Sequence, residues 1–368
     1  MEAVNQEHGR MFFLYGYGGI GKTHMWRTLT YALRSEKQIV LTVASSGIAS
    51  LLLPRGRTTH SKFKILVPSL ENSICNIHQG SELVGQILPV IPRGCRSDIV
   101  GDGKLSEPND GCVEIDIPDE LLILNFDNSI EAIVSSTYPD LHLHYNDEQF
   151  LQCMAILAST IDVVDQINEY VLSIIQGEEK EYLSSDSVDM SDISDIEVVN
   201  VLTPEFLNKL STSGIPNHKI KLKIGTPIML LRNLDQPEGL CNGTRLIVTQ
   251  MANHVLEAKI MSGKNIGNII YIPRMSMSPS QTQWPFKLIR RQFPIIVSYA
   301  MTINKSQGQS LESVGLYLPK PVFSHGQLYV AISRVKSKKG LKILIHDKDG
   351  NPLKSTTNVV YKEIFQNL

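Results

Sequence analysis

Apolar and polar positions follow two rhythms along this chain. Met11–Tyr15 (Met-Phe-Phe-Leu-Tyr) is an unbroken apolar run, the pattern of a strand buried on both faces. His24–Ser35 then places Met25, Trp26, Leu29, Ala32 and Leu33 at helical spacing. Gln38–Val43 reads as a second buried strand and Ile48–Leu53 as a helical turn or two before Pro54. Farther on, Val113, Ile115 and Ile117 alternate, Ser129–Tyr138 is helical in pattern, and Leu141 and Leu143 alternate with His142 and His144 as in a strand. Gln149–Leu157 and Asp162–Gln176 read as helices around a short strand. Lys219–Leu231 starts with strict alternation, and Cys241–Met251, His254–Met261 and Asn268–Met275 are strands divided by Asn/Gly turns, together a small β module. Strand and helix then alternate again: strands at Pro294–Val297, Gly315–Leu318 and Leu341–His346, and a helix over His325–Val335.

Between Lys64 and Glu120 the pattern thins. A nucleotide-binding α/β domain needs about five parallel strands. The apolar stretch Gln86–Ile91 is broken by Pro89 and followed by Pro92, and proline is excluded from central strands. Texture changes abruptly at Val84-Gly85 and at Val100-Gly101.

Composition narrows the class. Hydrophobic residues make up 42% and charged residues 20%, as in ordinary globular chains. The net charge of −2 argues against capture of nucleic acid by the whole molecule, though not against a local basic groove. Five cysteines without a C-x-x-C pair suggest free thiols rather than a zinc site. No apolar stretch approaches the ~18 residues of a membrane span.

Candidate chemistry begins at Gly16–Thr23, Gly-Tyr-Gly-Gly-Ile-Gly-Lys-Thr, which fits G-x-x-x-x-G-K-[ST] between a strand and a helix. Backbone N–H groups at a helix N-terminus lack intrahelical partners and lie at the positive dipole end, so they suit a triphosphate. Gly16, Gly18, Gly19 and Gly21 let the backbone approach closely. Lys22 reaches the β and γ phosphates, and the Thr23 hydroxyl ligates Mg²⁺. Arg55–Lys64 mixes cations with hydroxyls, His60 and Phe63, which suits either a nucleic-acid backbone with one stacked base or a solvated basic loop. His142 and His144 have no third ligand in evidence. Asp186, Asp189, Asp192 and Asp195 lack the Gly and Glu of a calcium loop, so 177–200 reads as an exposed acidic loop.

Taken in order, several blocks resemble one family. They are Gly-Gly-Ile-Gly-Lys-Thr, Ala-Ser-Ser-Gly-Ile-Ala-Ser with Gly-Arg-Thr-Thr-His-Ser, Gln-Ile-Leu-Pro-Val-Ile-Pro, Tyr299–Leu311 (Tyr-Ala-Met-Thr-Ile-Asn-Lys-Ser-Gln-Gly-Gln-Ser-Leu) and Tyr329–Arg334 (Tyr-Val-Ala-Ile-Ser-Arg). The order is similar to that of superfamily 1B DNA helicases of the PIF type, close to the branch associated with Helitron transposons.

The resemblance implies an α/β fold. Two RecA-like P-loop NTPase lobes, the first incomplete, would clamp ATP, with a small SH3-like β module inserted in the second. The division it suggests is 1–100 for the first lobe, 101–148 as a connecting segment, and 149–240 as the start of the second lobe with an acidic loop at 177–200. The insert would be 241–275 and the remainder of the second lobe 276–368.

The function implied is ATP-driven DNA unwinding with 5′ to 3′ polarity, in DNA repair, recombination or telomere maintenance, in the nucleus or mitochondrion. ATP and Mg²⁺ are the implied cofactors, and single-stranded and duplex DNA the implied partners. Carried over, Lys22 and Thr23 bind phosphate and metal, Gln86 senses the γ-phosphate, Gly308 lies against the nucleotide, and Arg334 is an arginine finger, a device worth ~10³–10⁵ in rate. Thr302, Lys305, Ser306 and Gln307 match a DNA-touching segment of the second lobe, and Thr59, His60 and Ser61, with Phe63 beside them, one of the first.

The chain departs from that pattern in one region. The family's Asp-Glu pair precedes the position of Gln86, and Ser81–Gly85 leaves no room for it or its strand. A segment ending in Asn-Met-Arg is also absent before Gly101, as is the upstream adenine-reading Gln. A missing central strand removes aliphatic side chains worth ~1.5–3 kcal/mol each, against a domain stability of ~5–15 kcal/mol. The alternative is therefore a catalytically dead or mis-spliced copy that binds nucleotide and DNA without turnover.

Overall fold

The structure, a computed structural model, describes residues 22–36, 40–44, 53–54, 56–58, 112–189, 202–212, 214–263, 265–279, 284, 286–324 and 326–359. The strand expected at Met11–Tyr15, the helical turns expected at Ile48–Leu53 apart from Leu53 itself, and both texture changes lie outside these residues.

The helix expected after the Gly-rich loop is present as α1, Lys22–Ser35. It buries Thr30 and Leu33 while Met25 and Tyr31 stay exposed. Its last turn is tied down by Arg34 Nη2, which donates to the Val40 carbonyl at 3.1 Å. Beyond it, β1 (Val43–Ala44) and β2 (Arg57–Thr58) pair in parallel.

The next described stretch begins at Cys112. β3 (Cys112–Asp116) pairs antiparallel with the last strand, Ser355–Val359, so the two ends of this part are joined. α2 (Ser129–Thr137) is started by Asn128, whose side-chain oxygen accepts from the N–H groups of Ile130 and Glu131. The short α3 (Leu141–His144) and α4 (Glu148–Gln152) follow, and then β4 (Met154–Ala158) and α5 (Ile161–Ile174). α5 buries Val163, Val164, Ile167, Val171 and Leu172, one helical face.

The middle of the chain is β-rich. β5 (Lys180–Leu183), β6 (Ser185–Asp189), α6 (Pro204–Lys209), β7 (Lys219–Leu222) and β8 (Pro227–Leu230) precede β9 (Arg245–Met251), β10 (Val255–Ile260), β11 (Ile269–Pro273), β12 (Met275–Met277), β13 (Lys287–Gln292) and β14 (Ile295–Val297). β8 to β11 with β14 form a five-stranded sheet in the order β11-β10-β9-β8-β14, antiparallel throughout. Its core holds Ile228, Leu230, Leu246, Val248, Leu256, Ala258, Phe293 and Ile295.

The C-terminal part returns to α/β order with β15 (Ala300–Thr302), β16 (Ser313–Leu318), α7 (Gln327–Ile332), β17 (Leu341–Ile345) and β18 (Ser355–Val359). A four-stranded parallel sheet runs β15-β4-β16-β17. Both faces are covered, which is why its strands read as continuous apolar runs. α2 lies close on this sheet: a Cβ at Gly315 would come within 2.0 Å of Thr137 Oγ1 and 3.1 Å of Ile133 Cδ1. Among the described residues no helix is long and apolar enough to cross a membrane.

Four expectations change. His142 and His144 stand on a helix, not a strand. The expected helix Gln149–Leu157 stops at Gln152, and its apolar end is the buried strand β4. The segment 101–148 does more than connect, because α2 packs on the parallel sheet and its Ile133 is fully buried. The expected insert at 241–275 cuts across the five-stranded sheet, which begins at Pro227 and ends at Val297.

The acidic loop is corrected too. Residues 180–183 and 185–189 are strands, paired with β7 and β13, and Asp186 is fully buried against Arg290. A buried carboxylate with a guanidinium partner belongs to the core, whatever the charge pattern around it.

Candidate functional site

The segment Tyr299–Gln309 is positioned by groups from three directions. Its start is fixed by Asn168, a buried polar residue on α5. The Asn168 amide donates to the carbonyls of Val297 and Ala300, both at 3.1 Å, and its oxygen accepts from Ala300 N–H at 2.8 Å. Tyr138 Oη donates to the Tyr299 carbonyl at 2.7 Å. Asn168 gave no signal in the sequence beyond being an amide on the apolar face of a helix.

The chain then leaves the sheet at the C-terminal end of β15, the edge where open α/β sheets place their ligands. Thr302 sits there half-buried, and Ile303–Ser306 makes one 3₁₀ turn. Ser306 is fully buried and its hydroxyl donates to the Ile303 carbonyl at 2.7 Å, so it shapes the turn and presents no hydroxyl to solvent. Gln307 is half-buried. Gly308 has φ +84°, a conformation that side chains with a Cβ disfavour. Lys305 Nζ donates to Asn242 Oδ1 at 3.0 Å. Burial holds the Lys305 ammonium below its ordinary range, and the nearby Arg232 guanidinium pushes the same way. An ammonium whose partner is an amide rather than a carboxylate remains available to an anion.

α7 packs against this turn and delivers Arg334 just past its end. Arg334 Nε donates to the Val330 carbonyl at 2.9 Å, Nη1 to the Gln309 carbonyl at 3.1 Å and Nη2 to Ser333 Oγ at 2.8 Å. These contacts use three of the guanidinium's five N–H groups. Burial lowers its pKa, countered by the Tyr329 hydroxyl, and an arginine stays charged regardless. The two strands of backbone also meet directly: Leu311 N–H donates to the Arg334 carbonyl at 2.8 Å and Lys336 N–H to the Leu311 carbonyl at 2.9 Å. Gln309, which the sequence reading passed over, is buried, and its Nε2 has no partner among the described residues.

The structure thus brings Thr302, Lys305, Ser306, Gln307, Gly308 and Arg334 into one neighbourhood. Of the other expected residues, Thr23 stands half-buried in the first turn of α1. That turn carries no acidic residue, so nothing there competes with an anion for the positive helix end. A hydroxyl and such a helix start fit a triphosphate with its Mg²⁺. The side chain of Lys22 lies outside the described residues, as do Gly16, Gly18, Gly19, Gly21, Thr59, His60, Ser61, Phe63 and Gln86.

Comparison with known proteins finds one family. Residues 1–88 match the family described as PIF1-like helicase, and residues 205–251 match the 2B domain of the DNA helicase Pif1. The second match takes in α6 from Glu205 on and all of β7, β8 and β9, so it too starts well before residue 241. The chain is similar to the ATP-dependent DNA helicase PIF1 of Xenopus laevis, 31% identical over 192 residues, which is 50% of this chain and 26% of the frog protein. It is 33% identical over 147 residues to the human protein of the same name, covering 39% of this chain and 22% of the relative. The aligned stretches thus span about a quarter of these relatives.

Among solved structures, the fold is similar to a Pif1 helicase studied in DNA unwinding at forked duplex DNA. The TM-score is 0.54 with 18% identity, over 99% of this chain and 94% of that one. Bacteroides Pif1 bound to single-stranded DNA gives a TM-score of 0.53 with 18% identity, over 93% and 90% of the two chains.

Proposed function

We propose that this chain, which belongs with the PIF1-like helicases, is an ATP-dependent DNA helicase that binds the triphosphate on Gly16–Thr23 and single-stranded DNA along Thr302–Gly308. One observation carries the reading. The segment carrying Lys305 and the end of α7 that delivers Arg334 are one hydrogen-bonded unit, joined at the Gln309 carbonyl and by the Leu311–Val335 pairing. A shift of either is therefore felt by the other.

The chemistry follows from the residues. Backbone N–H groups at the start of α1, with Lys22, hold the phosphates, and Thr23 holds the Mg²⁺. A Mg²⁺ held there would supply neutralisation of phosphate charge. Arg334 has two N–H groups beyond its three internal bonds to offer to a phosphoryl oxygen. Lys305 contributes one phosphate contact to DNA. Nucleotide bound better by a closed arrangement than by an open one shifts the population toward closure, and that difference biases movement along the strand. Polarity 5′ to 3′, a role in DNA maintenance and residence in the nucleus or mitochondrion rest on family resemblance.

A second reading has one specific support. The sequence has no Asp-Glu pair ahead of Gln86, and without such carboxylates ATP and DNA would be bound without turnover. ATP hydrolysis by the purified chain, with and without an oligo-dT, separates the two. The helicase reading expects DNA-stimulated turnover absent from Lys22→Ala. A rate equal to that of Lys22→Ala, with nucleotide binding retained, leaves the binding-only reading.

A further inference from the structure

The five-stranded sheet meets the parallel-sheet lobe through the residues Asn242–Arg245. β9 is two-sided: Leu246 and Val248 face the module's own core, while Ile247 packs among lobe residues such as Ile156 and Tyr299. Arg245 shares the lobe-facing side and is 2% exposed. Its guanidinium has no carboxylate among the partners it reaches. Nη1 donates to the Gln152 carbonyl at 3.4 Å, and Nη2 to those of Leu151 at 3.2 Å and Ser298 at 3.3 Å. Leu151 and Gln152 end α4, where carbonyls lack helical partners. Ser298 stands just before β15.

Burying a cation against carbonyls alone is costly, and burial does lower the Arg245 pKa, with Tyr138 countering. An apolar side chain would fill that place more cheaply. What the guanidinium adds is a three-way link between β9, the end of α4 and the entrance to β15.

The other end of the same turn makes a second link. Asn242 Oδ1 accepts from Lys305 Nζ at 3.0 Å. The turn between them is stiff: Asn242 N–H donates to Asn233 Oδ1 at 2.9 Å and Gly243 N–H to the Leu230 carbonyl at 2.7 Å. Four residues of the module therefore grip the stretch from Ser298 to Lys305 at both ends. Gln309, four residues beyond Lys305, holds Arg334.

We propose that the Asn242–Arg245 turn is a coupling clamp, with Arg245 as its positioning residue, that holds the stretch from Ser298 to Lys305 against the module and so couples DNA engagement along Thr302–Gly308 to the arginine presented to nucleotide. This rests on the chain binding both ATP and DNA. It adds that the two bindings communicate through the module rather than only across the nucleotide cleft.

The test uses the full chain, a fluorescent oligo-dT and a non-hydrolysable ATP analogue with Mg²⁺, so it does not depend on turnover. Oligonucleotide affinity is measured with and without the analogue, giving a coupling factor, for which ~5–150-fold is typical. Arg245→Met and Asn242→Ala are expected to bind each ligand alone within roughly threefold of wild type while the factor falls toward one. Should Arg245→Met fail to fold, Arg245→Lys, which keeps the charge but replaces the planar fork that spans α4 and Ser298 with a point ammonium, is expected to lose most of the coupling. Wild-type coupling retained in Asn242→Ala together with a folded Arg245 variant overturns the clamp, as does a wild-type factor of one. A wild-type chain that binds neither ligand instead overturns the function on which the clamp rests.

Discussion

Replacing Asp186 by alanine exposes how the β-rich part is held together. Arg290 is fully buried and all five of its N–H groups are used. Nε lies 3.0 Å from both Asp186 oxygens, Nη2 donates to Asp186 Oδ2 at 2.6 Å and to the Leu207 carbonyl at 3.0 Å, and Nη1 donates to the carbonyls of Leu210 at 3.0 Å and Pro216 at 3.1 Å. Ser184 Oγ also donates to Asp186 Oδ1, at 2.6 Å. Asp186→Ala removes the carboxylate that Arg290 pairs with among the described residues, at a site where both side chains are fully buried, and leaves Nε and one Nη2 hydrogen unpaired. Loss of one partner of such a pair costs ~3–5 kcal/mol, a large part of a domain's ~5–15 kcal/mol. Asp186→Asn keeps an acceptor and costs less, ~1–3 kcal/mol. Arg290→Met leaves the buried carboxylate without its guanidinium and takes a donor from three carbonyls, so it is at least as damaging as Asp186→Ala.

Trp284 reports the event. It stacks on Phe286 at 5.8 Å and packs on the cluster of Leu207, Ile215, Met277, Phe286 and Leu288 that Arg290 ties together through the Leu207 carbonyl. Urea unfolding followed by Trp284 fluorescence in a Trp26→Phe background is expected to give the order Arg290→Met at or above Asp186→Ala, and both above Asp186→Asn. A loss under ~1 kcal/mol for Asp186→Ala would place the pair in the class of exposed ion pairs and refute its assignment to the core.

Gly315→Ala puts a methyl group against Thr137 Oγ1 and the Ile133 side chain, and an overpacked contact of this kind costs ~1–3 kcal/mol; thermal melts are expected to show the loss, and an unchanged melting temperature contradicts the close approach of α2. His218 is held below its ordinary pKa by burial, with Arg290 and Lys219 adding to this and Asp186 and Glu181 opposing it. The unfolded chain then binds a proton more readily than the folded one, so this stability is present above about pH 6.5 and is lost as pH falls below it. Melting temperatures from pH 7.5 to 5.5 are expected to fall more for wild type than for His218→Gln, and equal slopes would remove His218 from the account. Lys305→Ala is expected to weaken oligo-dT binding and to reduce the salt-dependence slope by ~0.7; an unchanged slope would show that Lys305 touches no phosphate.

Much of the parallel sheet was legible because its strands are apolar and short. Gly315–Leu318 and Leu341–His346 were read within a residue or two of β16 and β17. β4 was missed as a strand because Phe150 and Leu151 of the preceding helix merge with Met154–Ala158 into one apolar stretch, and a run without period does not reveal where a helix stops. β5 and β6 were missed because they are polar: Tyr182 is the buried side chain of Lys180–Leu183. Their pairing depends on partners far along the chain, as Asp186 does on Arg290.

Two buried arginines did leave a trace. Leu288, Arg290 and Gln292 share the inward side of β13 by simple alternation. In Arg245-Leu-Ile-Val, Ile247 marks the second face of β9 as buried too. Thr302–Gly308 and Arg334, singled out from the sequence, lie together in the structure. What the sequence could not show is how that site is tied to its surroundings, because Arg245, Asn242 and Asn168 act through polar contacts to distant backbone and side chains that no periodicity records.

Strand separation tests the central claim most directly. The chain is incubated with ATP, Mg²⁺ and a fluorescently labelled duplex bearing a single-stranded tail at either the 5′ or the 3′ end. The account predicts ATP-dependent opening of the 5′-tailed duplex and none by Lys22→Ala or Arg334→Ala. No opening of either duplex, by a chain shown to bind both ATP and the tail, would contradict it and leave a protein that holds nucleotide and DNA without doing work on them.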